Sequence, residues 1–158
     1  MNNPIYLFCG GPAIYGEGRP KPLMKIREGR SLLAHYLIYL KHHRNNMPES
    51  VTLLCDDDQE AAIKADLHDL SYPVPIHIMA CGQQPSTFEK LCRALHESAN
   101  TTKLVQFGYP DIFSFDEFTE PPPEALTSDA PAHISAAALT SRFPQLIVDV
   151  YNNKVRGI

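Results

Sequence analysis

Apolar residues along this chain gather in four short runs, and between them they recur every three to four positions. The runs IYLFC (5–9), SVTLLC (50–55), VPIHIMA (74–80) and KLVQFG (103–108) read as short strands. The segments SLLAHYLIYLKHHR (31–44), DQEAAIKADLHDL (58–70) and PSTFEKLCRALHES (85–98) read as helices. In the first, Leu32, Leu33, Tyr36, Leu37 and Leu40 recur at helical spacing, and in the third Phe88, Leu91, Cys92 and Leu95 share one face. Ser31 is a good N-cap for the first helix, and the basic run Lys41 to Arg44 suits its C-terminal end. Strands alternating with helices predict an α/β domain built from βαβ units on a mainly parallel sheet. Right-handed crossovers then align the strand C-terminal ends, and any ligand crevice, along one edge.

Beyond Asp111 the pattern changes. DEFTEPPPEALTSDAP (116–131) is acidic and proline-rich and reads as a surface excursion. AHISAAALT, QLIVDVY and KVRGI are strand-like, and YNNK between the last two predicts a hairpin turn, because Asn tolerates positive φ. No internal repeat or low-complexity segment interrupts this order.

Composition narrows the function classes. A chain of 158 residues suits one domain with a full core, and its apolar (44%) and charged (20%) fractions are those of a soluble globular protein. No window has the apolar length of a membrane span, and MNNPIYLFCGG lacks the basic and apolar regions of a signal peptide. A net charge of −4 gives no electrostatic reason to expect nucleic acid as a partner, so charge for an anionic ligand has to be local. Cys9, Cys55, Cys81 and Cys92 form no C-x-x-C pair and read as buried free thiols in a reducing compartment, which predicts a cytoplasmic protein. Neither Cys nor His falls at zinc-ligand spacing, and no His has an evident Ser or Cys partner for a triad.

The loop after the first run, GGPAIYGEGRPKPL (10–23), holds the clearest candidate chemistry. Paired glycines at a strand end let backbone N–H groups approach a phosphate without an intervening Cβ. Gly16 and Gly18 extend that freedom, and Arg19 and Lys21 bring positive charge. The spacing is neither a Walker A loop nor G-x-G-x-x-G, so on composition alone a plain βα loop and a phosphate loop remain equal readings.

The segment LFCGG…RPKPLMKIREGRSLLAHYLIYL resembles the N-terminal stretch of the sugar-phosphate nucleotidyltransferases. Gly10 and Gly11 match that family's paired glycines, Pro20-Lys21-Pro22-Leu23 its P-K-P-L element, and Gly29 to Leu33 the turn into its first helix. GQQPSTFEKLCRAL resembles the segment that reads the nucleobase, with Gln84 in that role and Gln83 as the alternative. KLVQFGYPDIFSFD resembles the strand and loop carrying the metal-binding aspartate, with Asp111 in its place. LIVDVYNNKVRGI looks like the strand-turn-strand that precedes the family's E-K-P element. The resemblance implies a three-layer α/β/α Rossmann-like nucleotide-diphospho-sugar transferase fold over residues 1–158, with the sugar-phosphate half lying beyond Ile158. It implies transfer of a nucleoside monophosphate from an NTP to a sugar 1-phosphate or similar phosphate, releasing pyrophosphate, with Mg²⁺ as cofactor. Lys21 and Arg19 become the catalytic cations, Gly10, Gly11, Gly16, Gly18 and the glutamines the nucleotide-binding set, and Asp111 the metal ligand. The partners implied are an NTP and a sugar phosphate, with a homo-oligomer as an open assembly state and neither nucleic acid nor membrane.

This chain also departs from the family pattern. The usual loop, G-G-x-G-T-R-L-x-P, has an arginine after the glycines that is missing here, and Arg19 lies at the far end of a shortened loop. Tyr109 and Pro110 separate Gly108 from Asp111, and no glycine follows the base-reading glutamine. These departures support an alternative: a catalytically degenerate nucleotide- or sugar-nucleotide-binding regulatory module. Simpler roles compete residue by residue as well. Lys21 also reads as a solvated charge, Asp111 as a turn former, Asp116 as a helix cap, and Asp56, Asp57 and Asp58 as capping groups at a helix start. His42 and His43 read as exposed residues at a helix end, and His77 as a strand residue facing away from the core.

Overall fold

In the computed structural model, residues 4–10, 20–43, 47–83, 85–98, 106–110, 149–151 and 154–157 are described. The first apolar run forms β1 (Ile5–Phe8), buried along its whole length. After Pro20, a single 3₁₀ turn over Lys21–Leu23 buries Pro22 and Leu23 against the helices that follow. β2 (Lys25–Arg27) and β3 (Arg30–Ser31) make a small antiparallel hairpin. Its two-residue turn has positive φ at both Glu28 (54°) and Gly29 (70°), a sign combination that matches the right-handed twist of the flanking strands.

α1 (Leu32–His43) starts where its cap dictates: the Ala34 N–H donates to Ser31 Oγ at 3.0 Å, as the sequence predicts. The buried Ser31 hydroxyl donates onward to Asp66, which also pairs with Lys25, so the start of α1 is tied to the hairpin and to the next helix. β4 (Val51–Cys55) follows, then a 3₁₀ turn at Asp57–Gln59 that leads into α2 (Glu60–Leu67). β5 (Ile76–Ala80), α3 (Thr87–Ser98) and β6 (Gln106–Gly108) complete the main body. β7 (Asp149–Tyr151) and β8 (Lys154–Gly157) pair antiparallel with Tyr151 opposite Lys154, in keeping with a hairpin at YNNK. The proline-rich excursion and AHISAAALT lie outside the described residues.

The four core strands form one parallel sheet in the order β5-β4-β1-β6. Successive residues of β1 alternate between its faces. Ile5, Leu7 and Cys9 join Leu33, Leu37, Leu40 and Ile63 of α1 and α2, while Tyr6 and Phe8 join Leu54, Ala94 and Leu91 on the face that α3 covers. The chain steps from β1 to β4 to β5 with α1 and α2 on one face. It then crosses back by α3 on the other face, to β6 on the far side of β1. This is an α/β fold with a parallel sheet whose direction of travel reverses at β1.

Two sequence expectations need correction. The stripe Phe88, Leu91, Cys92 and Leu95 does not face the core as a whole: Leu91 packs against it, but Phe88 is 71% and Leu95 43% exposed, whereas Lys90 and Ala94 are buried. Small Ala94 lets the helix approach the sheet closely, and Lys90 finds an ion partner there, so the helix is rotated away from its bulkiest residues. Cys92 sits on that outward flank and is exposed, unlike the buried Cys9 and Cys55. His77 is exposed on β5, as read from its strand position.

Candidate functional site

All four core strands run the same way, so their C-terminal ends bring Cys9-Gly10, Cys55-Asp56, Cys81-Gly82 and Gly108-Tyr109 to one edge. Backbone bonds carry the ladder past the strand ends: Cys9 N–H to the Leu54 carbonyl at 2.8 Å and Cys81 N–H to the Cys55 carbonyl at 2.9 Å. The β4 and β5 loops are then tied twice. Asp57 N–H donates to the Gly82 carbonyl at 3.0 Å, and Gly82 N–H donates to Asp57 Oδ1 at 2.8 Å. Gly82 sits at φ +114°, a conformation that a side chain would strain.

The centre of this edge is charged and buried. Lys90 Nζ lies 2.7 Å from Asp56 Oδ1, with the two side chains 5% and 7% exposed. The pair sits directly over Gly10: a Cβ at that position would overlap both Lys90 Nζ and Asp56 Oδ1 and lie 3.0 Å from Lys90 Cε. The absence of a side chain at residue 10 is thus what lets the ammonium reach the end of the central strand. Gln59 Nε2 donates to the other carboxylate oxygen, Asp56 Oδ2, at 3.4 Å. Breaking such a pair from one side costs about 3–5 kcal/mol, because it strands a buried charge.

Around the pair, the start of α3 is held by a reciprocal cap. Ser86 N–H donates to Glu89 Oε2 at 2.7 Å, and Glu89 N–H donates to Ser86 Oγ at 3.2 Å. The Ser86 N–H and the Ser86 hydroxyl, which both donate to Glu89 Oε2, hold the Glu89 carboxyl below the ordinary glutamate range. On the same face, Phe8 stacks on Phe107 (ring centres 5.7 Å apart) and meets Tyr109 at 5.2 Å, so β1 and β6 are joined by aromatic contacts up to their C-terminal edge. The Cys55 and Cys81 thiols are kept protonated. Burial, and then the neighbouring Cys81, push Cys55 up to about 12; burial raises Cys81 against the opposing charges of Arg93 and Lys90. Neither has the character of a nucleophile at neutral pH.

Of the residues singled out by sequence, Gly10 lies at the centre of this edge. Gln83 is exposed in the loop just past Gly82, and Lys21 opens the 3₁₀ turn, half-buried, where that turn packs on α1 and α2. Gly11, Gly16, Gly18, Arg19, Gln84 and Asp111 lie outside the described residues. Asp56 departs from its reading as a helix cap: its side chain makes no capping bond, and its carboxylate faces Lys90 instead. Sequence reasoning passed over Lys90. Its signal is the spacing to Ala94, i to i+4, which puts a lysine and a small residue on one helix face. Among the described residues, no group of three or more His, Cys, Asp or Glu side chains is placed to hold a metal ion, and no helix is long and apolar enough to cross a membrane. In comparisons with known proteins, no protein-family model matches the chain, and no curated protein matches it.

Proposed function

We propose that this chain binds a nucleoside triphosphate at the C-terminal edge of its parallel sheet. There it transfers the nucleoside monophosphate to a sugar 1-phosphate or a similar small phosphate. The observation that carries the reading is the position of Gly10. It lies two residues past β1, the strand at which the order of the sheet reverses, and such a switch point is where α/β sheets open a ligand crevice. The glycine loop, the Gln83-Gln84 segment and Asp111 all follow strands that end on this edge. The finer architecture belongs to the same proposal: a single three-layer α/β/α Rossmann-like domain of the nucleotide-diphospho-sugar transferase type, in the cytoplasm.

In the reaction, an oxygen of the acceptor phosphate attacks the α-phosphorus of the triphosphate. The bond from that phosphorus to the bridging α–β oxygen breaks, and pyrophosphate leaves with the electron pair. The protein's task is to hold two anions in line and offset the charge that develops on the phosphoryl oxygens. Backbone N–H groups at Gly10 and Gly11 are the fixed donors, Lys21 and Arg19 the loop cations, and Gln84 or Gln83 the base reader. The magnesium ion implied by the resemblance would take Asp111, three residues past the end of β6, as its ligand.

A second reading, a nucleotide- or sugar-nucleotide-binding module without turnover, is favoured by one observation. GGPAIYGEGRPKPL has no arginine close behind its glycine pair. One experiment separates the two. Each nucleoside triphosphate is titrated into the protein with and without magnesium, and pyrophosphate release is then followed over a panel of sugar 1-phosphates. Binding with release supports transfer, binding without release leaves the module, and no binding at millimolar nucleotide overturns both.

A further inference from the structure

Lys90 and Asp56 are explained neither by the loop residues nor by the needs of the fold. An ammonium in the first turn of α3 faces the positive end of the helix dipole, and burying it adds desolvation to that cost. Asp56 offsets both, yet two apolar side chains of similar volume would fill the same space at equal or better stability. The pair is also not in the middle of the core. It lies at the end of the central strand, over the one position where a missing Cβ admits the Lys90 Nζ, at the entrance to the glycine loop.

We propose that Lys90 is the fixed cation of this edge. It binds the phosphoryl oxygens of an anionic ligand, and Asp56 holds its place when no ligand is present. An ammonium has three donors, and phosphoryl oxygens offer a denser set of acceptors than the single Asp56 oxygen it now meets. On exchange, the Asp56 carboxylate keeps the Gln59 amide beside it, at 3.4 Å. The ligand class is a phosphate chain. This deepens the nucleotide reading and rests on it for the location of the phosphates.

The test is calorimetric titration of inorganic pyrophosphate, and separately of each nucleoside triphosphate, into wild-type protein, K90M, D56N and the double variant K90M/D56M. Thermal melts confirm that each variant folds, and the double variant guards against a stranded charge in K90M. Lys90→Met, alone or in the double variant, weakens pyrophosphate binding by about tenfold or more, the scale of a lost charged hydrogen bond. Asp56→Asn strengthens it severalfold, because the competing carboxylate is gone. Unchanged affinity in both Lys90 variants, or weakening by D56N as large as that by K90M, overturns the proposal. Lys90-dependent pyrophosphate binding without nucleotide binding upholds it and removes the nucleotide reading. Nucleotide binding indifferent to Lys90 does the reverse, and a wild-type protein that binds neither probe overturns both.

Discussion

At the level of single residues, Gly10 changes meaning between sequence and structure. In the sequence it is half of a glycine pair that frees the backbone for a phosphate. In the structure its missing side chain makes room for Lys90 and Asp56. A glycine elsewhere, exchanged for alanine at compatible dihedrals, gains a few tenths of a kcal/mol from a stiffer unfolded chain. Here the sign reverses. Gly10→Ala pushes a Cβ into a buried ion pair that has no solvent to retreat to, and should cost about 3 kcal/mol. Thermal and urea unfolding of G10A against wild type measure this, and an unchanged melting temperature would show that the pair yields freely. Lys90 was hard to read from sequence because lysine is expected outside, and burial of a charge depends on a partner 34 positions away. Ser31, by contrast, was legible as a cap because its partner is three residues on.

At the level of elements, the three helices and the four strands of the parallel sheet sit where periodicity puts them, since each core run is short and bounded by turn residues. The facing of α3 is what periodicity misjudges. Its apolar stripe meets the core only through Leu91, because close approach by Ala94 and the charge on Lys90 outweigh the bulk of Phe88 and Leu95. The start of α3 was legible in principle, as Ser86 and Glu89 have the S-x-x-E spacing of a reciprocal cap. That cap gives a pH dependence with a definite sign. Glu89 is held below its ordinary range by the Ser86 bonds, so its contribution is present above the unfolded glutamate value. It is lost as pH falls through the depressed folded value. Melts from about pH 6 down to about pH 2 should show wild type more stable than E89A at the upper end, with the gap closing on acidification. A gap that persists undiminished at the acid end would mean that the carboxylate charge plays no part.

For the whole molecule, the legible part is the parallel sheet and the edge at which its loops meet. Alternating runs imply βαβ crossovers, and crossovers of one hand bring Gly10, Asp56, Gly82 and Gly108 to the same side. What stayed hidden is how the loops on that edge engage one another, since the Asp57–Gly82 ties and the Asp56–Lys90 pair join segments far apart in the chain. The described molecule also offers a competing surface, a groove of about 320 Å³ beside β5 lined by Lys64, Leu67, Tyr72, Val74 and Ile78. Amide chemical-shift mapping during nucleoside triphosphate titration decides between the two most directly. The account predicts shifts concentrated at Gly10, Asp56, Asp57, Gly82 and Lys90. Shifts confined to the groove beside β5, or none at millimolar nucleotide, would contradict it.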